Sequence, residues 1–309
     1  MNEKAVDQEL DLSQLFRAFI RAKWMIISIT SFFAIISLIV ALNLPDIYRS
    51  DTLLAPAGSQ QQSPIGALGQ LGGLASLAGI NIGEPSVDKT ALALEILRSR
   101  DFIGRFIEKY DLFVPLMASK EWDLKSNKLV IDDDIYNEST KTWVREVSPP
   151  LKPKPSLQEA YEKFLELMQI QQSKDNGMVT LSIEHYSPYI AQEWVSLLIT
   201  ELNLFMKRRD MQEAQRSMSY LEQQLKETQV EELRSVLFQL IEEQTKTLML
   251  TQVTDEYAFK VIDPPIVSEK KAKPSRALIC ILSTLFGGFF ACFLVFIKFL
   301  YKPAVRIES

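Results

Sequence analysis

The chain has 309 residues, 47% of them apolar and 24% charged, with a formal net charge of −5. So small a charge for this length argues against nucleic acid as a partner, and the apolar share suits a globular body that also carries membrane segments. The only two cysteines, Cys280 and Cys292, lie in one apolar run on different helix faces, so geometry excludes a disulfide between them.

In chain order, residues 1–24 are expected to form a cytoplasmic amphipathic segment. Asp11-Leu-Ser-Gln14 resembles a capping box, Leu12, Leu15, Phe16, Phe19 and Ile20 recur at helical spacing, and Arg17 and Arg21 share the other face. Such a helix either lies on the inner leaflet or simply extends the span that follows. Residues 25–44 read as the first transmembrane helix, with Trp24 and Tyr48 as its interfacial aromatics. No small-residue cleavage motif follows at Leu42-Asn43-Leu44, so it is read as a retained span and not a signal peptide.

Residues 45–276 make the extracytoplasmic body. Ile47 to Pro56 alternates enough for a strand leaving the membrane. The 57–84 stretch is glycine-rich, with Leu68, Leu71, Leu74, Leu77 and Ile80 three apart. It is either a flexible linker or a flap that orders against a surface. Thr90 to Arg98, Phe102 to Tyr110 and Ser156 to Met168 read as helices, and Met178 to Glu184 as a strand preceded by a turn at Lys174-Asp-Asn-Gly177. Pro115 to Pro155 carries only a weak signal. Asp132, Asp133 and Asp134 there lack the glycine and terminal glutamate of a calcium loop and read as a solvated turn.

Residues 188–252 read as a long helical arm, with no glycine and no proline beyond Pro188. Ala214, Met218, Leu221 and Leu225 step by three and four, as do Val230, Leu233, Leu237, Leu240 and Gln244. The register slips between Lys226 and Val230, which predicts a bend there and hence a hairpin. Two such helices expose more apolar surface than one subunit covers, so the arm is expected to pack against copies of itself. Tyr257 to Ile262 reads as a further strand.

Pro264, Pro265 and Pro274, with Lys270, Lys271, Lys273 and Arg276, make 263–276 a stiff, basic approach to the second transmembrane helix, 277–297. Its 21 residues span about 31 Å, the thickness of a bilayer's hydrocarbon. Within it Ser283, Gly287 and Ala291 form a small-residue stripe, open to a helix of another subunit or to the first span of the same one. Residues 298–309 would be a cytoplasmic tail. Arg17, Arg21, Lys23, Lys298, Lys302 and Arg306 flank the spans on that side, against Arg49, Lys270, Lys271, Lys273 and Arg276 on the other. The first span usually dominates orientation, which puts both termini in the cytoplasm.

No catalytic, cofactor-binding or metal-binding residues are assigned, and the chain is read as not an enzyme. Its one histidine, His185, ends a strand and reads as structural. No glycine is followed by lysine, no Gly-x-Ser-x-Gly elbow occurs, and no cysteine–histidine spacing suits a metal. No carboxylate pair stands out for glycan chemistry. Lys207, Arg208 and Arg209 are either a contact for acidic glycan or a neighbouring subunit, or a solvated basic patch.

Asp11-Leu-Ser-Gln-Leu-Phe-Arg-Ala18, Leu44-Pro-Asp-Ile-Tyr-Arg-Ser50 and Leu181-Ser-Ile-Glu-His-Tyr-Ser-Pro188 together resemble the Wzz-type chain length determinants, polysaccharide co-polymerases of the bacterial inner membrane. The proline-rich approach to the second span is similar as well. Here, however, Ser268 and Lys271 stand where that motif would place prolines between Pro265 and Pro274. The resemblance implies an α+β fold: a periplasmic α/β base with a long helical arm between two spans, assembled as a ring of identical subunits. It implies a non-catalytic regulator of O-antigen length acting on a separate polymerase and its growing lipid-linked glycan. The alternative is a component of exopolysaccharide or capsule export working with a separate tyrosine kinase and an outer-membrane channel. The short stretch after the second span points to the branch without a fused kinase.

Overall fold

The computed structural model describes residues 20–57 and 89–300. The expected N-terminal amphipathic helix before Ile20, the glycine-rich stretch between 58 and 84 and the tail beyond Leu300 lie outside the described residues. The chain divides into two units, one made of its two ends and one of residues 47–271.

In the first unit, α1 (Lys23–Asn43) and α8 (Arg276–Leu300) are, among the described residues, the two helices long and apolar enough to cross a membrane. Their outward residues are bulky and apolar, for example Phe32, Ile35, Leu285 and Phe289, as lipid-facing positions require. Between the helices, Phe33 meets the rings of Phe286 and Phe290 at 6.1 Å each. At one end Arg276 Nη2 donates to Leu44 O at 3.2 Å and to Asp46 Oδ1 at 2.9 Å, tying the end of α1 to the start of α8.

The body is built on an antiparallel sheet in the order β6-β7-β1-β8, with β1 Ile47–Pro56, β6 Met168–Gln172, β7 Val179–His185 and β8 Phe259–Asp263. β6 and β7 form a hairpin whose turn uses Gly177 at φ +68°, the backbone geometry that an Asp-Asn-Gly turn supplies. The long central pairing sets Tyr48 opposite His185 and Leu54 opposite Val179.

Helices cover this sheet. α2 (Lys89–Arg98) is followed by α3 (Arg100–Lys109), whose N-terminus is capped by Ser99 Oγ accepting from Phe102 N at 3.2 Å. α5 (Leu157–Leu167) starts with a full capping box between Ser156 and Glu159, and Arg145 Nη2 lies 2.7 Å from the same glutamate. α6 (Pro188–Glu227) is capped by Ser187, with Pro188 in its first turn where a missing N–H does no harm. Phe106, Phe164, Leu181, Ile183, Trp194, Leu198, Leu202 and Phe259 pack at the centre, Phe164 stacked on Trp194 at 5.6 Å. Burying a side chain of this size contributes roughly 1.5–3 kcal/mol, so this cluster dominates the body's stability.

The weakly patterned 115–155 stretch begins inside the short helix α4 (Phe113–Met117) and contains two small hairpins: β2 (Ser119–Asp123) with β3 (Lys128–Ile131), and β4 (Tyr136–Asn137) with β5 (Thr142–Trp143). Each hairpin is too short to show a period of its own, which explains the weak signal. Asp132 to Asp134 indeed form a turn, Asp132 Oδ1 accepting from Asp134 N at 3.1 Å. A last short strand, β9 (Lys271–Lys273), falls at the boundary of the two units.

Candidate functional site

The arm is the feature that the body's core does not absorb. α6 runs for 40 residues, about 60 Å, and breaks at Thr228 to Val230 before α7 (Glu231–Val253) returns along it. The bend therefore falls where the heptad register slips. Arg234 closes it, its Nη1 donating to Leu225 O and Thr228 O at 3.4 Å each and so satisfying carbonyls at the end of α6.

Burial along α6 runs from Pro188 to Ala214 and then stops, while α7 buries only Thr251. On the distal part of α6 the covered positions are Met218, Leu221 and Leu225, as their spacing predicts. On α7 the expected stripe is only half right. Leu237 faces its partner helix with Ile241 and Leu248, whereas Val230, Leu233 and Leu240 are exposed. The reason is that α7 is apolar on two faces, and the face chosen for α6 is the one through Arg234, Leu237, Ile241 and Leu248. The other carries Leu233, Val236 and Leu240, all exposed.

Where the arm joins the body, buried polar groups fasten it. Asn203 Oδ1 accepts from Ala258 N at 2.8 Å and Phe259 N at 2.9 Å, and its Nδ2 donates to Phe259 O at 3.0 Å, clamping β8 to α6. Two turns further on, Asp210 accepts from Tyr257 Oη at 2.8 Å and pairs with Lys89 at 3.1 Å and Arg209 at 3.1 Å. Burial disfavours the charge on Asp210, but the bonds from Tyr257 and Lys89 outweigh it and hold the carboxyl below its ordinary range. Burial and the adjacent carboxylate together push the Tyr257 phenol well up. Glu201 likewise accepts from Tyr110 Oη at 2.8 Å and from Lys109.

These contacts decide what Lys207, Arg208 and Arg209 can do. Lys207 reaches Asp255 at 3.5 Å, Arg209 is spent on Asp210, and the charge of Arg208 acts on Glu201. The run is thus largely compensated by carboxylates of its own chain. Pro265 O accepts from Gln192 Nε2 at 3.4 Å, which holds the backbone just after β8 against α6; Pro264 precedes it and Pro274 stands two residues before α8.

His185 is a buried neutral imidazole. Ser187 N donates to its Nδ1 at 3.0 Å, so the proton sits on Nε2, which donates to Pro115 O at 2.9 Å. Burial lowers its pKa to about 4, against the opposing effect of the two backbone bonds. It ties α4 to the β7–α6 junction and packs at 5.0 Å on Trp194, as the strand-capping reading expects. Among the described residues no group of three or more histidine, cysteine or acidic side chains could hold a metal ion.

In the span pair, the stripe of small residues faces α1 of the same chain. Ser283 Oγ donates to Phe33 O at 3.4 Å and Ala291 is fully buried. A Cβ on Gly287 would stand 2.7 Å from Phe33 Cβ, so the absence of a side chain is what admits that ring. Sequence reasoning missed Asn203 and Phe33 altogether; each acts through a partner more than fifty positions away.

The described residues thus join two apolar helices of membrane-spanning length to an α+β body that carries a long helical hairpin. Residues 8–110, about a third of the chain, match the family model described as "Wzz: Chain length determinant protein". No curated protein matches the chain. Among solved structures, a full-length bacterial polysaccharide co-polymerase is similar at a TM-score of 0.38 and 13% identity, covering 96% of this chain and 100% of that one.

Proposed function

We propose that this chain is a non-catalytic, homo-oligomeric regulator of O-antigen length, held in the bacterial inner membrane with its termini cytoplasmic and its body periplasmic. The observation that carries the reading is the uncovered apolar face of α7, set on an arm whose other face is already satisfied by α6. Leu233, Val236 and Leu240 along one side of a helix in water favour a like surface on a second copy. Arms packed in this way give a scaffold of set height and width around a separate polymerase and its lipid-linked glycan. Lys207, Arg208 and Arg209 then contribute at most a rim contact, since their charges are mostly paired within the chain.

The test pairs a mass with a phenotype. Light scattering of the full chain in detergent is expected to give a closed multimer, and Leu233→Glu with Leu240→Glu is expected to reduce that mass while leaving helix content unchanged. Deleting the gene should alter the lipopolysaccharide ladder, and the wild-type chain but not the double variant should restore it. A monomeric wild type would overturn the packing argument, and an unchanged ladder would overturn the O-antigen role.

A further inference from the structure

One end of the main sheet is tied covalently to the membrane. Tyr48 of β1 follows Asn43, the last residue of α1, by five residues, at most about 17 Å of extended chain. It stands opposite His185, the last residue of β7. The β2–β3 hairpin is fastened to this same end. Pro115 O, which receives the His185 bond, also accepts from Ser119 Oγ at 2.5 Å, and Trp122 of β2 lies 5.9 Å from Tyr189 in the first turn of α6.

The tip of that hairpin is unusual for a turn in water. Leu124 is 69% exposed, two residues after Trp122 and followed in the turn by the exposed Lys125 and Lys128, and Tyr189 is 49% exposed. The turn is also locked: Asp123 accepts from Lys125 N at 2.9 Å and Ser126 Oγ at 2.6 Å, and Asn127 takes φ +54°. Leu124 stands exposed on this ordered turn.

We propose that this tip sits in the headgroup region of the bilayer, with Leu124 inserted, Trp122 and Tyr189 at the interface, and Lys125 and Lys128 reaching the lipid phosphates. A leucine flanked by interfacial aromatics and snorkelling lysines has the composition of a membrane-surface contact, and the short tether from α1 brings this end of the sheet within reach of one. The proposal needs only the membrane anchoring and stands apart from the length-regulating role. The contact would orient the body on its membrane independently of any neighbouring copy.

The experiment uses the full chain with Cys280 and Cys292 replaced by alanine, labelled with an environment-sensitive dye at Leu124→Cys and reconstituted in phosphatidylcholine vesicles containing spin-labelled lipid. Gln229→Cys, exposed in the bend of the arm, is the control. The expected result is blue-shifted emission at position 124 that the spin-labelled lipid quenches, and neither effect at 229. Aqueous emission without quenching at 124 would overturn the proposal. A blue shift that the lipid does not quench would overturn it too, in favour of cover by a second chain. Labelling at Lys125→Cys, which leaves Leu124 in place, repeats the measurement without the leucine's removal.

Discussion

Replacing Gly287 by leucine tests the packing of the two spans most directly. A Cβ there would stand 2.7 Å from Phe33 Cβ, 2.9 Å from Cγ and 3.2 Å from Cδ2, whereas one on Gly288 would find only Thr30 Oγ1 at 3.9 Å. Contacts under 3.0 Å with the base of a ring cannot be relieved by a flexible tip, so α1 and α8 must separate or rotate. Overpacking of this kind costs about 1–3 kcal/mol. In lipid no hydrophobic term rewards the helix pair, and the close packing that the glycine permits supplies most of the association. Any gain in helix propensity is shared by both positions, so the comparison of Gly287→Leu with Gly288→Leu isolates the clash. With Cys280 and Cys292 removed and dyes at Asn43→Cys and Ala277→Cys, energy transfer can follow span separation as sodium dodecyl sulfate is titrated into mild detergent. Gly287→Leu should lower the separation free energy by about 1–3 kcal/mol and Gly288→Leu by less than about 0.5. Equal midpoints for the two would refute the reasoning.

Asn203→Ala removes three bonds and strands buried backbone groups of Ala258 and Phe259, so it should destabilise the body by about 2–4 kcal/mol in chemical denaturation. Tyr257→Phe keeps the ring but deletes the bond to the Asp210 carboxylate, and a loss of about 1–2 kcal/mol is expected by the same measurement. His185 titrates near 4 when folded and near 6.5 when unfolded, so between those values the unfolded chain binds the extra proton. Stability should therefore be fully present above about pH 6.5 and fall by about 3 kcal/mol as the pH drops to 4. His185→Leu should lower stability at neutral pH but flatten that slope, and an unchanged slope in thermal melts across the window would count against the buried-imidazole assignment.

Much of the architecture was legible because it is local. The spans are uninterrupted apolar runs, the bend at Thr228 to Val230 shows as a slip in a seven-residue rhythm, and Ser156 announces a helix start by its own chemistry. The two hairpins between Ser119 and Trp143 were not, since two to five residues per strand cannot establish alternation. On α7 the periodicity was real but doubly degenerate. Two apolar faces satisfy the same spacing, and nothing in the helix itself says which one meets α6.

By itself, then, the amino-acid sequence determined the two membrane helices, the long interrupted arm, the turn at Gly177 and the absence of any recognisable catalytic motif. All of these depend on residues within a few turns of one another. Only the tertiary structure decided that Gly287 accommodates Phe33, that Asn203 clamps β8, that Lys207 and Arg209 are matched by carboxylates of the same chain, and that Trp122, two residues before the exposed Leu124, meets Tyr189. These depend on which distant groups the close-packed core brings together. That choice is made by the summed burial of the whole core, to which no single segment holds the answer.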